Sequence, residues 1–129
     1  MPSGRRILVV DDNHDLLRGA SIRLQNAGFE PLVATDGGEG ISSAIRDQPA
    51  AIVLDVRMPG MDGLTALYEL KRRTDTRHIP IVMLSASVVD QKAALDAGAR
   101  FFLSKPYQGR NLIDAIELAL ADANHDRNN

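Results

Sequence analysis

Asp11 and Asp12 follow the apolar run Ile7–Val10, Asp55 follows Ala51–Leu54, and Ser85 follows Ile81–Leu84. A fifth run, Phe101–Leu103, ends in Ser104-Lys105-Pro106. Any one of these is explained by local structure, since Asp and Ser are common caps and turn residues just beyond a strand. Together they deliver carboxylates, a hydroxyl and an ammonium to one rim, provided the runs lie side by side. Three carboxylates within several Å repel one another and force one to stay protonated, a conflict that a divalent cation removes. Formal charges of −3 from the aspartates, +2 from the cation and +1 from Lys105 sum to zero. All-oxygen ligands without clustered His or Cys favour Mg²⁺ or Mn²⁺ over zinc. His14, His78 and His125 are too dispersed to form a site. A hard cation beside a carboxylate, a lysine and a hydroxyl is equipment for phosphoryl transfer, which needs mainly positioning and neutralised equatorial oxygens. A carboxylate can itself be the nucleophile and form an aspartyl phosphate. The cation and Lys105 would then hold two phosphoryl oxygens, with the Ser85 hydroxyl donating to a third.

Positioning such a rim is the task of the surrounding elements. Pro31–Ala34 completes a set of five short apolar runs, most of them continuous rather than alternating. Continuous β-branched runs are the pattern of strands covered on both faces, as in a parallel sheet. Between them lie helical spacings. Leu17, Ala20, Leu24 and Ala27 share one face, with Gly28 as a stop signal. A second helix is expected over about Gly37–Asp47, ended by Pro49, and a third carries Leu64, Leu67 and Leu70 to near Thr74. The last, Gln108 to about Ala123, carries Leu112, Ile113, Ile116, Ala119 and Leu120. The fourth, Val88–Ala97, is poor in apolar area: beyond Val88 and Val89 it offers Leu95, then only Ala93, Ala94 and Ala97 for a buried face. It is either a weakly held moving part or a helix packed closely through alanines. Strand–helix alternation repeated five times reads as a (βα)5, doubly wound α/β domain with right-handed crossovers. It is expected over residues 5–123, with residues 1–4 and 124–129 as flexible termini.

Composition excludes several classes. The 129 residues carry a net charge of −2, with 44% hydrophobic and 25% charged residues, which is the make-up of an ordinary globular domain. There is no cysteine, hence no disulfide, thiolate nucleophile or Cys-based zinc site. The longest apolar run, Ala50–Leu54, is five residues, against ~20 for a membrane span. No secretory signal is present, so a cytoplasmic setting is expected. Near-neutral charge and five scattered aromatics leave no footprint for direct nucleic-acid binding. The 13 Asp against 4 Glu, and 12 Arg against 3 Lys, are the unusual features.

The strand ending in Asp11-Asp12, the stretch Asp55-Val56-Arg57-Met58-Pro59-Gly60-Met61-Asp62-Gly63, the Ser85-Ala86 pair and the Lys105-Pro106 pair resemble the receiver domain of two-component response regulators. The resemblance covers about Arg6 to Ala121 and is specific in combination, order and spacing. It implies a flavodoxin-like, CheY-like sheet with strand order 2-1-3-4-5. It implies that Asp55 accepts a phosphoryl group and that Asp11, Asp12, Asp55 and the backbone carbonyl of Arg57 bind Mg²⁺. Ser85 and Lys105 would contact the phosphoryl oxygens, and the peptide before Pro106 would be cis. The implied donor is a phosphohistidine on a sensor histidine kinase or a histidine phosphotransfer protein. The implied output is a conformational switch, through Ser85 and the aromatic at Phe102, that engages a protein partner at the face of the fourth helix, fifth strand and last helix. Tyr is commoner at the position of Phe102, and Phe offers no hydroxyl. Phe101 reads as a plain strand residue. Arg57 and Ser87, each two residues beyond a site residue, are expected at the mouth of the pocket, where they would tune access by water or donor. The chain is thus read as a phospho-acceptor rather than an enzyme, either standing alone or part of a larger regulator or hybrid kinase.

Rival readings fit less well. Gly38-Glu39-Gly40-Ile41-Ser42-Ser43 misses the dinucleotide fingerprint at its third glycine and follows the second strand, and no GxxxxGK[ST] loop exists. A haloacid-dehalogenase-type phosphatase also forms an aspartyl phosphate but requires a second Asp two residues on, where Arg57 stands. A receiver-like interaction module that is not phosphorylated would have lost an acid or the lysine, and none is lost. A flavin-binding relative would want a glycine- and hydroxyl-rich loop after the first strand, where Asp11-Asp12-Asn13 stands.

Overall fold

The computed structural model describes residues 4–128, with side-chain surroundings through Ala123. Five strands alternate with five helices: β1 Arg6–Val10, α1 His14–Asn26, β2 Glu30–Ala34, α2 Gly37–Asp47, β3 Ala51–Asp55, α3 Gly63–Arg72, β4 Ile81–Ser85, α4 Asp90–Asp96, β5 Phe101–Ser104 and α5 Gly109–Asn128. The strands form one parallel sheet in the order β2-β1-β3-β4-β5. The strand order implied by the resemblance is therefore the observed one.

Alternate side chains of the three inner strands supply two separate cores. Leu8, Val10, Ile52, Leu54, Ile81 and Met83 face α2, α3 and α4, packing with Ala44, Leu67, Leu70 and Ala94. Ile7, Val9, Val53, Val82 and Leu84 face α1 and α5, packing with Leu17, Leu24, Leu112 and Ile116. Covering both faces is what makes β1, β3 and β4 read as unbroken apolar runs. The edge strands β2 and β5 are only half-buried along most of their length.

Several helix starts use the abundant short polar side chains. Asn13 Oδ1 accepts from the Asp15 and Leu16 amides at 3.0 and 3.1 Å, Asp36 caps α2 through the Glu39 amide at 2.8 Å, and Asp62 caps α3 through the Thr65 amide at 2.9 Å. Such caps are worth about 1 kcal/mol each. Gly28, with φ +91°, closes α1 at the expected stop signal.

Two elements differ from the sequence expectation. Helix α4 begins at Asp90 rather than Val88, and Val88 and Val89 are 67% and 75% exposed. Leu95 faces outward, and only Asp90 and Ala94 of this helix are buried. The local apolar pattern misled because the helix is anchored by a polar side chain rather than by an apolar stripe. Helix α5 continues to Asn128, past the expected end at Ala123, because its polar final turns carry no apolar periodicity from which to read an end. The expectation of flexible ends also falls on residues 1–3 and 129, which lie outside the described residues.

Candidate functional site

Strand register assembles the rim. Val10 pairs with Leu54 across β1 and β3, so Asp11 and Asp55, the next residues, stand level. Asp55 pairs with Leu84, which sets Ser85 one step beyond it, and Ser85 pairs with Ser104, which brings Lys105 to the same edge. One carboxylate oxygen from each of Asp11, Asp12 and Asp55 lies within 4.8 Å of the others. Asp11 and Asp55 are buried, at 0% and 3% exposure, while Asp12 is open to solvent.

Lys105 holds the buried pair together. Its Nζ lies 2.8 Å from Asp55 Oδ1 and donates to Asp11 Oδ2 at 3.0 Å. The other Asp11 oxygen accepts the Asn13 amide at 3.0 Å. Burial pushes the Asp55 carboxyl up; the Lys105 hydrogen bond opposes this, and the charges of Asp11 and Asp12 add to it. Burial alone would pull Lys105 down, but its bonds to Asp55 and Asp11 outweigh that and raise the ammonium above its usual value. The arrangement is a carboxylate poised against an ammonium, with two further acids alongside. Its donor set of hard oxygens from three acids suits Mg²⁺.

The backbone beneath Asp55 is tightly fitted. The Gly63 amide donates to the Val56 carbonyl at 2.8 Å, and a Cβ on Gly63 would overlap the Asp55 carbonyl. Glycine at the first position of α3 is therefore required by the close approach of the end of β3.

The Lys105–Pro106 peptide is cis. Phe102 is half-buried against the α3-side core, and Phe101 packs on the opposite face with the α5-side core. The Ser85 hydroxyl is fully buried and donates to Asp90 Oδ2 at 2.6 Å, while accepting the Ser87 amide at 3.1 Å. The Arg57 side chain leaves the pocket mouth and grips the same Asp90, Nε to Oδ2 and Nη2 to Oδ1, each at 3.1 Å. The Ser85 hydrogen bond, then Arg57, hold the Asp90 carboxyl below the usual carboxylate range against the effect of burial. No motif in the sequence points to Asp90 as part of the site. Its only signal in the sequence is an acid at the start of a helix too poor in apolar residues to anchor itself.

On the other side of Lys105 an open cleft of about 500 Å³ runs along α1, lined by Leu16, Ala20, Arg23, Lys105 and Tyr107.

Residues 7–117 match the family model of the response regulator receiver domain. The chain belongs to this family. It is 40% identical over 117 residues to the transcriptional regulatory protein PrrA of Mycobacterium tuberculosis, covering 89% of this chain and 49% of that protein. This receiver thus spans about half the length of that curated relative. Among solved structures it is similar to the receiver domain of the sensor histidine kinase PA1611 from Pseudomonas aeruginosa, which carries a magnesium ion coordinated in its active site cleft. That likeness has a TM-score of 0.85 and 29% identity, over 92% of this chain and 99% of the other. It is likewise similar to a CheY-like receiver protein from Methanospirillum hungatei, with a TM-score of 0.88 and 25% identity over 96% and 99% of the two chains. Among the described residues of this receiver, no helix is long and apolar enough to cross a membrane.

Proposed function

We propose that this receiver accepts a phosphoryl group on Asp55 from a phosphohistidine of a sensor histidine kinase or histidine phosphotransfer protein and relays that state to a protein partner. The observation that carries the reading is the buried Asp55 carboxylate held at 2.8 Å by Lys105 beside Asp11 and Asp12. In the step, an Asp55 oxygen bonds to phosphorus as the phosphorus–nitrogen bond breaks, and the electron pair leaves with the imidazole. Lys105 is placed to neutralise charge on a phosphoryl oxygen as it transfers from the carboxylates it now bridges. Asp11, Asp12, Asp55 and the Arg57 carbonyl are the groups we assign to Mg²⁺, which when bound would offset the charge of the transferring group. The cleft along α1 opens onto Lys105 and suits the approach of a donor protein.

Output is assigned to the α4–β5–α5 face, where Val88, Val89 and Leu95 expose apolar surface. Phe102 carries no hydroxyl, so any aromatic contribution to the switch is through ring burial alone. The role is that of a phospho-acceptor rather than an enzyme with a turnover substrate, and family membership supports a cytoplasmic setting. Incubation with Mg²⁺ and acetyl phosphate tests the reading. The wild type gains one acid-stable, alkali-labile phosphoryl group by intact mass; no adduct under these conditions refutes it.

A further inference from the structure

Helix α4 has seven residues and no side-chain cap. Apart from Ala94 its buried residue is Asp90, 8% exposed. A helix that buries so little apolar surface owes its position to whatever its polar anchor holds. Both Asp90 oxygens are engaged, Oδ2 by the Ser85 hydroxyl and Arg57 Nε, Oδ1 by Arg57 Nη2. This is a fork-on-carboxylate pair reinforced by a short hydroxyl bond, the strongest class of side-chain hydrogen bonding.

A serine hydroxyl has one proton to donate. While it goes to Asp90, Ser85 cannot donate to a phosphoryl oxygen on Asp55. Arg57 follows Asp55 by two residues, and 65% of its side chain is exposed, so apart from its bonds to Asp90 no packing bars its guanidinium from swinging. A phosphoryl group on Asp55 would compete with Asp90 for both donors, offering more charge and more acceptor oxygens than a single carboxylate.

We infer that Asp90 is a latch: it withholds Ser85 and Arg57 from the site in the unphosphorylated protein, and losing them to a phosphoryl group releases the start of α4. This rests on the acceptor role of Asp55. It assigns the resting state to a positioning residue outside the acidic cluster, and it explains how chemistry at β3 reaches a helix that shares little core with it. The coupling is by exchange of partners rather than by strain.

Binding of beryllofluoride, a phosphoryl mimic, in Mg²⁺ buffer tests the latch by calorimetric titration. Asp90→Ala binds roughly tenfold tighter than wild type, the lower end of what one charge-assisted hydrogen bond is worth. Asp90→Asn keeps an acceptor for Ser85 but loses the charge that Arg57 grips, so it binds tighter than wild type by a smaller factor. Being isosteric, it carries the test if the alanine variant does not fold. Amide exchange over residues 88–97 of ligand-free Asp90→Ala should match that of beryllofluoride-saturated wild type. A residue that merely anchors the helix would speed exchange and leave affinity unchanged, and equal affinities across the three proteins overturn the latch alone. No binding by any of them overturns the latch together with the acceptor role of Asp55.

Discussion

Replacing Asp55 by asparagine removes the proposed acceptor, yet it should stabilise the folded protein when no divalent metal is present. At an effective dielectric of about 20, Lys105 at 2.8 Å attracts the Asp55 charge by about 6 kcal/mol. A carboxylate oxygen within 4.8 Å repels it by at least about 3.5 kcal/mol. Asp11, fully buried, contributes that figure; Asp12 is exposed, and solvent cuts its share to about half. The charge terms therefore leave at most about 1 kcal/mol of net attraction. What remains is the cost of dehydrating a carboxylate that is only 3% exposed, an effect of several kcal/mol per ion before compensation. Allowing for the weaker acceptor that asparagine offers Lys105, the net gain is about 1–3 kcal/mol, or about 3–10 °C in Tm for a chain of this size. Thermal and urea melts in chelator at pH 7 measure it. The sign with pH follows from burial raising the Asp55 carboxyl: the folded state binds that proton more readily than the unfolded chain does. The stability of the wild type therefore falls as pH rises above the usual carboxylate value, and the advantage of asparagine opens in the same window. On acidification Asp55 becomes neutral too, and the gap closes. Added Mg²⁺ narrows it at pH 7 by binding the folded wild type more tightly than the variant. A variant equal to or less stable than wild type in chelator at pH 7 would refute the claim that the site is held against its own charge.

Gly63→Ala should lower stability by about 2–4 kcal/mol, since its methyl overlaps the Asp55 carbonyl and overpacking against backbone has no soft way out; a chemical melt within 0.5 kcal/mol (roughly the neutral range) of wild type contradicts that fit. Lys71, desolvated and bonded to the Arg77 and Ile79 carbonyls, is pulled down to about 8 chiefly by burial and secondarily by Arg100. Its Cε resonance should titrate near that pH, and the unfolded chain binds the extra proton above it. Stability relative to Lys71→Met should then rise between about pH 8 and 10, by no more than about 3 kcal/mol.

The inner strands were legible because burial on both faces leaves β1, β3 and β4 as unbroken apolar runs, and the site was legible because a parallel sheet puts strand-end residues on one rim. The strand order came from the family resemblance; spacing alone does not say that β1 lies between β2 and β3. Caps were visible only as a class, since an excess of Asp does not tell Asp36 and Asp62, which start helices, from Asp11 and Asp55, which do not. The local pattern puts Val88, Val89 and Leu95 on the buried side of a helix, but no neighbour offers them a core, and they face solvent. The Asp90 clamp was hidden for a different reason. Its partner Arg57 is 33 positions away, and which acid an arginine grips is decided by tertiary packing rather than by local pattern.

The most direct test of the account is to locate the phosphoryl group. After reaction with acetyl phosphate and Mg²⁺, borohydride reduction turns an acyl-phosphate aspartate into homoserine, which peptide mass spectrometry can place. Homoserine at position 55 alone, and none in Asp55→Asn, is the predicted result. Homoserine at position 11 or 12, or unmodified residues at all three, would contradict it.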